Sequence, residues 1–300
     1  MKELVTDCGV IVPKIGLGTY PLQGKRISDV VKSAISIGYR LIDTADDYRN
    51  EVGIGIGVSE AISSGIIKRE ELFLQTKISN NCAYNDEPLA GVFFNENSAF
   101  MKRHTVSEVV NEKVENSLRS LKTDYLDSVL IHYPFPGFYE EIWQALIELK
   151  NKGIIRYIGV SNFYKRHLEI LKQTGVSAQI NQVYISPIGT KADDVHYCNE
   201  EGVQLMTYSP LIDIRTRRLS QNVEPFVSLI NKYNKSISQI ILRWNIEQGS
   251  IPIAKSQNPD RLRENFQVLD FSLTKDEIDI ISSLNRDFQY LPTSRICPGF

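Results

Sequence analysis

Tyr125-Leu126-Asp127-Ser128-Val129-Leu130-Ile131-His132 is a short apolar run that ends on an imidazole. Its length, its β-branched content and the polar residues that bound it predict a buried β-strand. Two other runs have the same form. Leu41-Ile42-Asp43-Thr44-Ala45 carries Asp43 near its end, with Tyr48 a few residues on, and Leu72-Phe73-Leu74-Gln75-Thr76-Lys77 closes on a lysine. If such strands are parallel neighbours in a closed barrel, their C-terminal ends share one rim. Asp43, Tyr48, Lys77 and His132 then meet at the mouth, where (β/α) barrels carry their chemistry. Taken one at a time these residues say little, since a lone Asp or His at a strand end is more often a turn or structural residue. It is the four together that point to a site.

The rest of the chain keeps the same alternation. An N-terminal hairpin is expected around the Asp7-Cys8-Gly9 turn. The first barrel strand follows at Ile15–Thr19, then a helix over Ile27–Gly38 with Ser28 as a cap and Gly38 as its terminator. Further strands are expected at Ala178–Val183, Gln204–Tyr208, Tyr157–Ser161 and Ile251–Lys255. The helices between them are expected at Glu51–Ser64, Thr105–Leu121, Tyr139–Lys152, Lys165–Thr174, Asp193–Glu201, Ser236–Gln248 and Pro259–Phe266. Val106, Val109, Val110, Val114 and Leu118 lie near helical spacing. About eight β/α units predict a single-domain (β/α)8 TIM barrel over residues 1–300. Beyond the barrel, Thr274-Lys275-Asp276-Glu277 has the form of a capping box and opens an extra C-terminal helix, followed by a loop to Phe300.

A doubly wound dinucleotide fold is the alternative. It needs a Gly-rich first turn of the G-x-G-x-x-G kind. Gly53-Ile54-Gly55-Ile56-Gly57 is followed by Val58 where that pattern needs Gly. These glycines read instead as sites of close helix packing, each costing roughly 1 kcal/mol against Ala in a helix interior. The stretch Ile78–His104, rich in Asn and aromatics, is too long for a minimal barrel loop. Following a strand's C-terminal end, it is expected to hang over the mouth and take part in substrate selection.

Composition bounds the function. Hydrophobic residues make up 42% of the 300 and charged residues 23%, and the net charge is -2. That profile is ordinary for a soluble globular protein and offers no basic footprint for nucleic acid. No apolar run reaches the ~18 residues of a membrane span, and the N-terminus lacks the apolar core of a signal peptide. Cys8, Cys82, Cys198 and Cys297 form no C-x-x-C pair, so free thiols in a reducing cytoplasm are expected. His104, His132, His167 and His196 are scattered, and no metal site is expected.

The ordered motifs resemble the aldo-keto reductase family along nearly the whole chain. They are Ile15-Gly16-Leu17-Gly18-Thr19, Asp43-Thr44-Ala45 with Tyr48 and Asn50-Glu51, Thr76-Lys77, Asp124-Tyr125-Leu126-Asp127, Gly159-Val160-Ser161-Asn162-Phe163, Tyr208-Ser209-Pro210-Leu211, Ile251-Pro252, Lys255-Ser256, and Arg261 with Glu264-Asn265-Phe266. The resemblance implies reduction of an aldehyde or ketone with NADPH. It makes Tyr48 the general acid, Lys77 the ammonium that lowers the phenol pKa, Asp43 its partner, and His132 the donor that orients the carbonyl. It implies cofactor contacts from Thr19, Tyr20, Asp43, Ser161, Asn162, Gln182, Tyr208, Ser209 and Leu211. Lys255, Ser256 and Arg261 are implied around a 2′-phosphate, with Glu264 and Asn265 near the adenine. Arg215, Arg217 and Arg218, in the loop after Gln204–Tyr208, read first as a solvated basic loop, with contact to the cofactor phosphates as the alternative.

The substrate-facing residues implied are Tyr20, Asp47, Tyr48, Ser79, His132 and Tyr133. Here the chain departs from many members, which carry Trp where it has Tyr20, Ser79 and Tyr133, and an apolar residue at Asp47. A polar pocket for small hydroxylated carbonyls is therefore expected, in a monomer or weak homo-oligomer. The competing expectation is a nicotinamide-binding regulatory subunit that keeps the barrel without useful turnover.

Overall fold

The computed structural model describes residues 3–5, 11–79, 104–134 and 137–291. Strands β1 (Glu3–Val5) and β2 (Ile11–Pro13) pair antiparallel as the expected hairpin. The Asp7-Cys8-Gly9 turn, Cys82, Cys297 and most of the Ile78–His104 stretch lie outside the described residues.

Eight parallel strands then close a barrel: β3 (Gly16–Gly18), β4 (Leu41–Asp43), β5 (Phe73–Ile78), β6 (Leu126–Ile131), β7 (Ile155–Ser161), β8 (Ile180–Val183), β9 (Gln204–Tyr208) and β10 (Ser250–Ala254). Neighbours follow chain order, and β10 pairs with β3 to complete the ring. Closure rules out the doubly wound alternative, whose sheet is open.

Side chains alternate along each strand, so a single parity faces the barrel axis. Low in the barrel that parity is apolar: Leu41, Phe73, Leu130, Ile180, Met206 and Ile251 form one buried cluster. Val12 of β2 joins it, so the hairpin packs on the N-terminal end of the barrel. Higher up, the same parity turns polar. Leu41 is succeeded by Asp43, Phe73 by Gln75 and Lys77, Ile180 by Gln182, and Met206 by Tyr208.

A larger apolar cluster lies between the strands and the outer helices α1 (Lys25–Ile37), α2 (Glu51–Ser63), α3 (Val106–Leu121), α4 (Tyr139–Asn151), α5 (Lys165–Lys172) and α6 (Ala192–Glu200). Later come α7 (Ile212–Arg215), α8 (Phe226–Tyr233), α9 (Ile237–Glu247), α10 (Pro259–Phe266) and α11 (Lys275–Ser282). The Thr274–Glu277 capping box is formed as expected, and Thr105 with Glu108 and Ser236 with Gln239 make two more.

Two expectations are corrected. Ser28 is not a cap, because α1 begins at Lys25 after Gly24 and Ser28 is buried inside it. The segment after β9 is not all loop, since it contains α7 and α8. The glycine reading holds. A Cβ on Gly57 would sit 2.7 Å from the Ser28 carbonyl oxygen of α1, and one on Gly55 would run into the Ser120 carbonyl of α3. Helix α2 is thus wedged between two backbones that only glycine lets approach.

Candidate active site

The polar upper parity brings the expected acid and base groups to one end of the barrel. Lys77 Nζ is fully buried and donates to Asp43 Oδ1 at 2.7 Å, Asp43 Oδ2 at 2.8 Å and the Thr44 carbonyl at 2.8 Å. Burying this pair would be costly without further partners. Two amides supply them, with Gln75 Nε2 and Gln182 Nε2 donating to Asp43 Oδ1 at 2.7 and 2.9 Å. Gln75 escaped the sequence reading. Its signal was a glutamine in the middle of an otherwise buried strand, where each polar atom needs a partner. The Gln75 side-chain oxygen Oε1 in turn accepts from the Ser128 hydroxyl at 2.7 Å.

Tyr48 ends a 3₁₀ turn, Asp46–Tyr48, and Arg49 follows in the left-handed region at φ 54°. The loop is tied down by its next residue. Asn50 donates to the Thr19 and Leu22 carbonyls at 3.3 and 3.0 Å and accepts from the Thr44 hydroxyl at 2.7 Å. Glu51 reaches inward and accepts from Thr76 on β5 at 2.7 Å and Ser117 on α3 at 3.1 Å. In the sequence the Asn50-Glu51 pair was only a marker. The structure shows it as the fastening of the tyrosine loop.

The Tyr48 ring lies 5.2 Å from Lys77 Nζ and 5.8 Å, edge-on, from the His132 ring. The exposed Tyr20 ring packs against it, tilted, at 5.0 Å. The expected fall in the phenol pKa is not found. Burial pushes it well above its ordinary value, and the Asp43 and Asp47 carboxylates add to the rise. The Lys77 ammonium is engaged by both Asp43 oxygens, so its charge is largely balanced before it reaches the phenol. The consequence is a phenol that keeps its proton throughout the neutral range.

His132 follows β6 and is buried. Its Nδ1 lies 2.6 Å from Ser79 Oγ and 3.6 Å from Asp47 Oδ1. Its carbonyl accepts from Asn162 Nδ2 at 3.2 Å, and its ring stacks on Tyr133 at 4.5 Å. Burial, then the Lys77 and Lys113 charges, hold the imidazole well below its ordinary pKa, so it is neutral. Ser79 is buried beside this ring.

The residues expected around the nicotinamide form one connected rim. Ser161 Oγ donates to the Gln182 carbonyl at 2.8 Å and accepts from Asn162 Nδ2 at 3.1 Å. Asn162, at φ 63°, accepts from the Tyr208 hydroxyl at 3.0 Å. One asparagine thus links the His132 backbone to the Tyr208 ring. Ser209 follows at φ 50°, and Leu211 sits just before α7. Thr19 is fully buried, with its hydroxyl on the Asp43 carbonyl at 2.9 Å.

The residues expected around the adenosine phosphate lie past β10. Lys255 is half-buried, and burial followed by the nearby Arg215 charge lowers its pKa. Ser256 and Asn258 bond each other, and the Asn258 side chain caps α10 by accepting from the backbone N–H groups of Asp260 and Arg261. The Arg261 side chain is exposed. Glu264 accepts from the Ser236 hydroxyl at the start of α9, and Asn265 is buried. Arg26, which the sequence reading did not single out, donates to Gln257 at 3.2 Å beside this region. Of the arginines after β9, Arg218 lies 4.4 Å over the Phe288 ring and 3.6 Å from Asp213. Among the described residues no three His, Cys, Asp or Glu side chains gather as a metal would require.

This barrel and rim belong to a class of oxidoreductases, and the chain is a member of the aldo/keto reductase family, whose sequence model matches residues 14–286. It is 39% identical over 286 residues to the oxidoreductase YtbE of Bacillus subtilis (strain 168), covering 95% of this chain and 93% of that protein. It is 38% identical over 281 residues to the glyoxal reductase of the same organism, covering 93% and 91%. The crystal structure of a Bombyx mori aldo-keto reductase in complex with NADP superposes with a TM-score of 0.83 at 31% identity, covering 98% of this chain and 96% of that one. The expected family and fold are therefore both correct.

Proposed function

We propose that this chain reduces a small aldehyde or ketone to the alcohol with NADPH. The observation that carries the reading is the buried Asp43–Lys77 pair beneath Tyr48, with His132 on the same rim. Bound NADPH supplies the hydride to the carbonyl carbon. Tyr48, protonated at neutral pH, gives its proton to the developing alkoxide, and Lys77 offsets the negative charge left on the phenolate. Neutral His132 offers an N–H to the same oxygen and fixes the carbonyl.

The residues present fit the cofactor. Ser161, Asn162 and Gln182 present the hydroxyl and amide groups that a carboxamide needs. Tyr208 offers a ring for stacking. Ser209 and Leu211 border the path expected for the pyrophosphate, with Thr19 and Tyr20 at its edge. Lys255, Ser256 and Arg261 supply cations and a donor for a 2′-phosphate, with Glu264 and Asn265 toward the adenine. The nearness of Arg215 to Lys255 supports this, since two cations held together favour an anion between them.

Tyr20, Asp47 and Tyr133 give the mouth polar groups, which favours small oxygen-rich carbonyls over bulky aromatic ones. Similarity to a glyoxal reductase points the same way. No helix of the described residues is long and apolar enough to cross a membrane. We place the enzyme in the cytoplasm as a monomer or weak homo-oligomer.

The test is Tyr48→Phe. NADPH binding, followed by quenching of protein fluorescence, should be retained, while NADPH oxidation with glyoxal should fall by at least ~10²-fold, the scale of a lost general acid. Near wild-type turnover would remove Tyr48 from the mechanism.

A further inference from the structure

Two polar side chains, Asp47 and Ser79, lie beside Nδ1 of the His132 ring. Asp47 Oδ1 is buried, has no hydrogen-bond partner and points within 3.6 Å of His132 Nδ1. Ser79 Oγ is 2.6 Å from the same nitrogen. The Ser79 hydroxyl is near enough to the Asp47 carboxyl to favour its charged form, without forming a hydrogen bond to Oδ1 in this structure. A serine has one proton to donate, so it satisfies either the ring or the carboxylate, and accepts from the other.

We propose that Asp47 and Ser79 are positioning residues that decide which nitrogen of His132 carries hydrogen, and therefore whether Nε2 can donate to the substrate oxygen. The inference rests on the reductase reading above and deepens it. The proton count has two states. When Asp47 is protonated, its O–H donates to Ser79 Oγ, the Ser79 O–H donates to Nδ1, and the neutral ring keeps its hydrogen on Nε2. When one proton leaves to solvent, the Asp47 carboxylate accepts from Ser79. Ser79 Oγ then accepts from Nδ1–H, and Nε2 is left bare. The first state suits carbonyl reduction, which needs a donor at Nε2. The second suits alcohol oxidation, which needs an acceptor there.

The surroundings set the range in which the switch works. Burial pushes the Asp47 carboxyl up to about 6, and the neighbouring Asp46 adds to the rise, against the Ser79 hydroxyl, Lys77 from β5 and Lys113 from α3. Lys113 is paired with Asp46 at 2.8 Å and also donates to the Ser79 carbonyl at 2.8 Å. Asp46 Oδ1 accepts from the Ser79 N–H at 3.0 Å. Lys77 is held by Asp43. Tyr48 keeps its proton throughout, and Tyr133 stacks on the ring. Asp47 thus changes charge near neutrality beside the ring, and the buried Glu51, held by Thr76 and Ser117 and raised to about 7, is a second carboxyl in that range that makes no contact with His132.

The experiment is long-range proton–nitrogen NMR of the ¹⁵N-histidine-labelled full chain between about pH 5 and about pH 8, a range spanning the ordinary titration of histidine. The His132 signals are assigned with His132→Gln. The wild-type ring should pass from the Nε2–H to the Nδ1–H form with a midpoint near that of Asp47. Asp47→Asn should hold the Nε2–H form at every pH, and Ser79→Ala should abolish the transition. In parallel, kcat/KM for NADPH-dependent reduction of glyoxal should fall about tenfold across the same range in the wild type and stay level in Asp47→Asn. A single wild-type tautomer at all pH values, or an unchanged midpoint in Asp47→Asn, would overturn the proposal. If the tautomer switches but no carbonyl is reduced, the relay stands and the reductase reading fails.

Discussion

Replacing Glu51 with Gln should stabilise the protein at high pH and not at low pH. Glu51 opens α2, is buried, and is held by the Thr76 and Ser117 hydroxyls. Burial raises its carboxyl from 4.5 to about 7, with Asp46 adding to the rise against Thr76, Ser117 and Lys113. The folded chain therefore binds this proton more tightly than the unfolded chain. The resulting stabilisation is full below about 4.5 and is lost as pH rises through about 7. At about 1.4 kcal/mol for each tenfold in proton affinity, the loss is about 3 kcal/mol. Glutamine keeps the shape and one donor–acceptor pair but has no charge to bury. Urea unfolding of wild type and Glu51→Gln at pH 5 and pH 8 measures the effect. Groups common to both chains cancel in the difference, which should move by about 2.5 kcal/mol in favour of the variant between pH 5 and pH 8, since part of the loss has already occurred at pH 5. A difference constant to within about 0.5 kcal/mol would mean that Glu51 ionises freely and that the burial argument is wrong.

Gly55→Ala should cost about 1–3 kcal/mol and lower Tm, because its Cβ would meet the Ser120 and Leu121 backbone of α3, which cannot rotate away. Asn50→Ala removes three hydrogen bonds from the Tyr48 loop, so kcat should fall about tenfold or more with little change in NADPH Kd, as expected when a proton donor is misplaced. Arg261→Ala should weaken NADPH about tenfold or more, measured by fluorescence quenching, and leave NADH unchanged, since a charge-assisted bond to phosphate is worth ~1.5–3 kcal/mol. Equal wild-type affinity for the two nucleotides would remove Arg261 and Lys255 from the phosphate site.

The strands were legible because each is short, apolar and bounded, and strand parity then carries Asp43, Lys77 and His132 to one rim with no further information. Helix starts were legible where a side chain closes the cap, as at Thr274. The start after Gly24 was missed, where no side chain closes the cap, and so was α8, which follows Pro225, whereas α2, α4 and α5 begin where expected although their caps make no such bond. The site's supporting layer was the least visible. Gln75 and Gln182 converge on Asp43 from strands far apart in the chain, and no local pattern announces that meeting. The Tyr48 pKa was misjudged for a related reason. Lys77 stands near the phenol, but its charge is balanced by Asp43, and burial outweighs what is left.

The fastening at Asn50 has a wider consequence. It ties the Tyr48 loop to the turns after β3 and β4 through bonds made within the chain, so that loop is anchored before anything binds. Such an arrangement separates two evolutionary tasks. The rim loops can drift in sequence while the anchored Tyr48 loop stays as it was, and a single barrel can be reassigned to new substrates without rebuilding its centre.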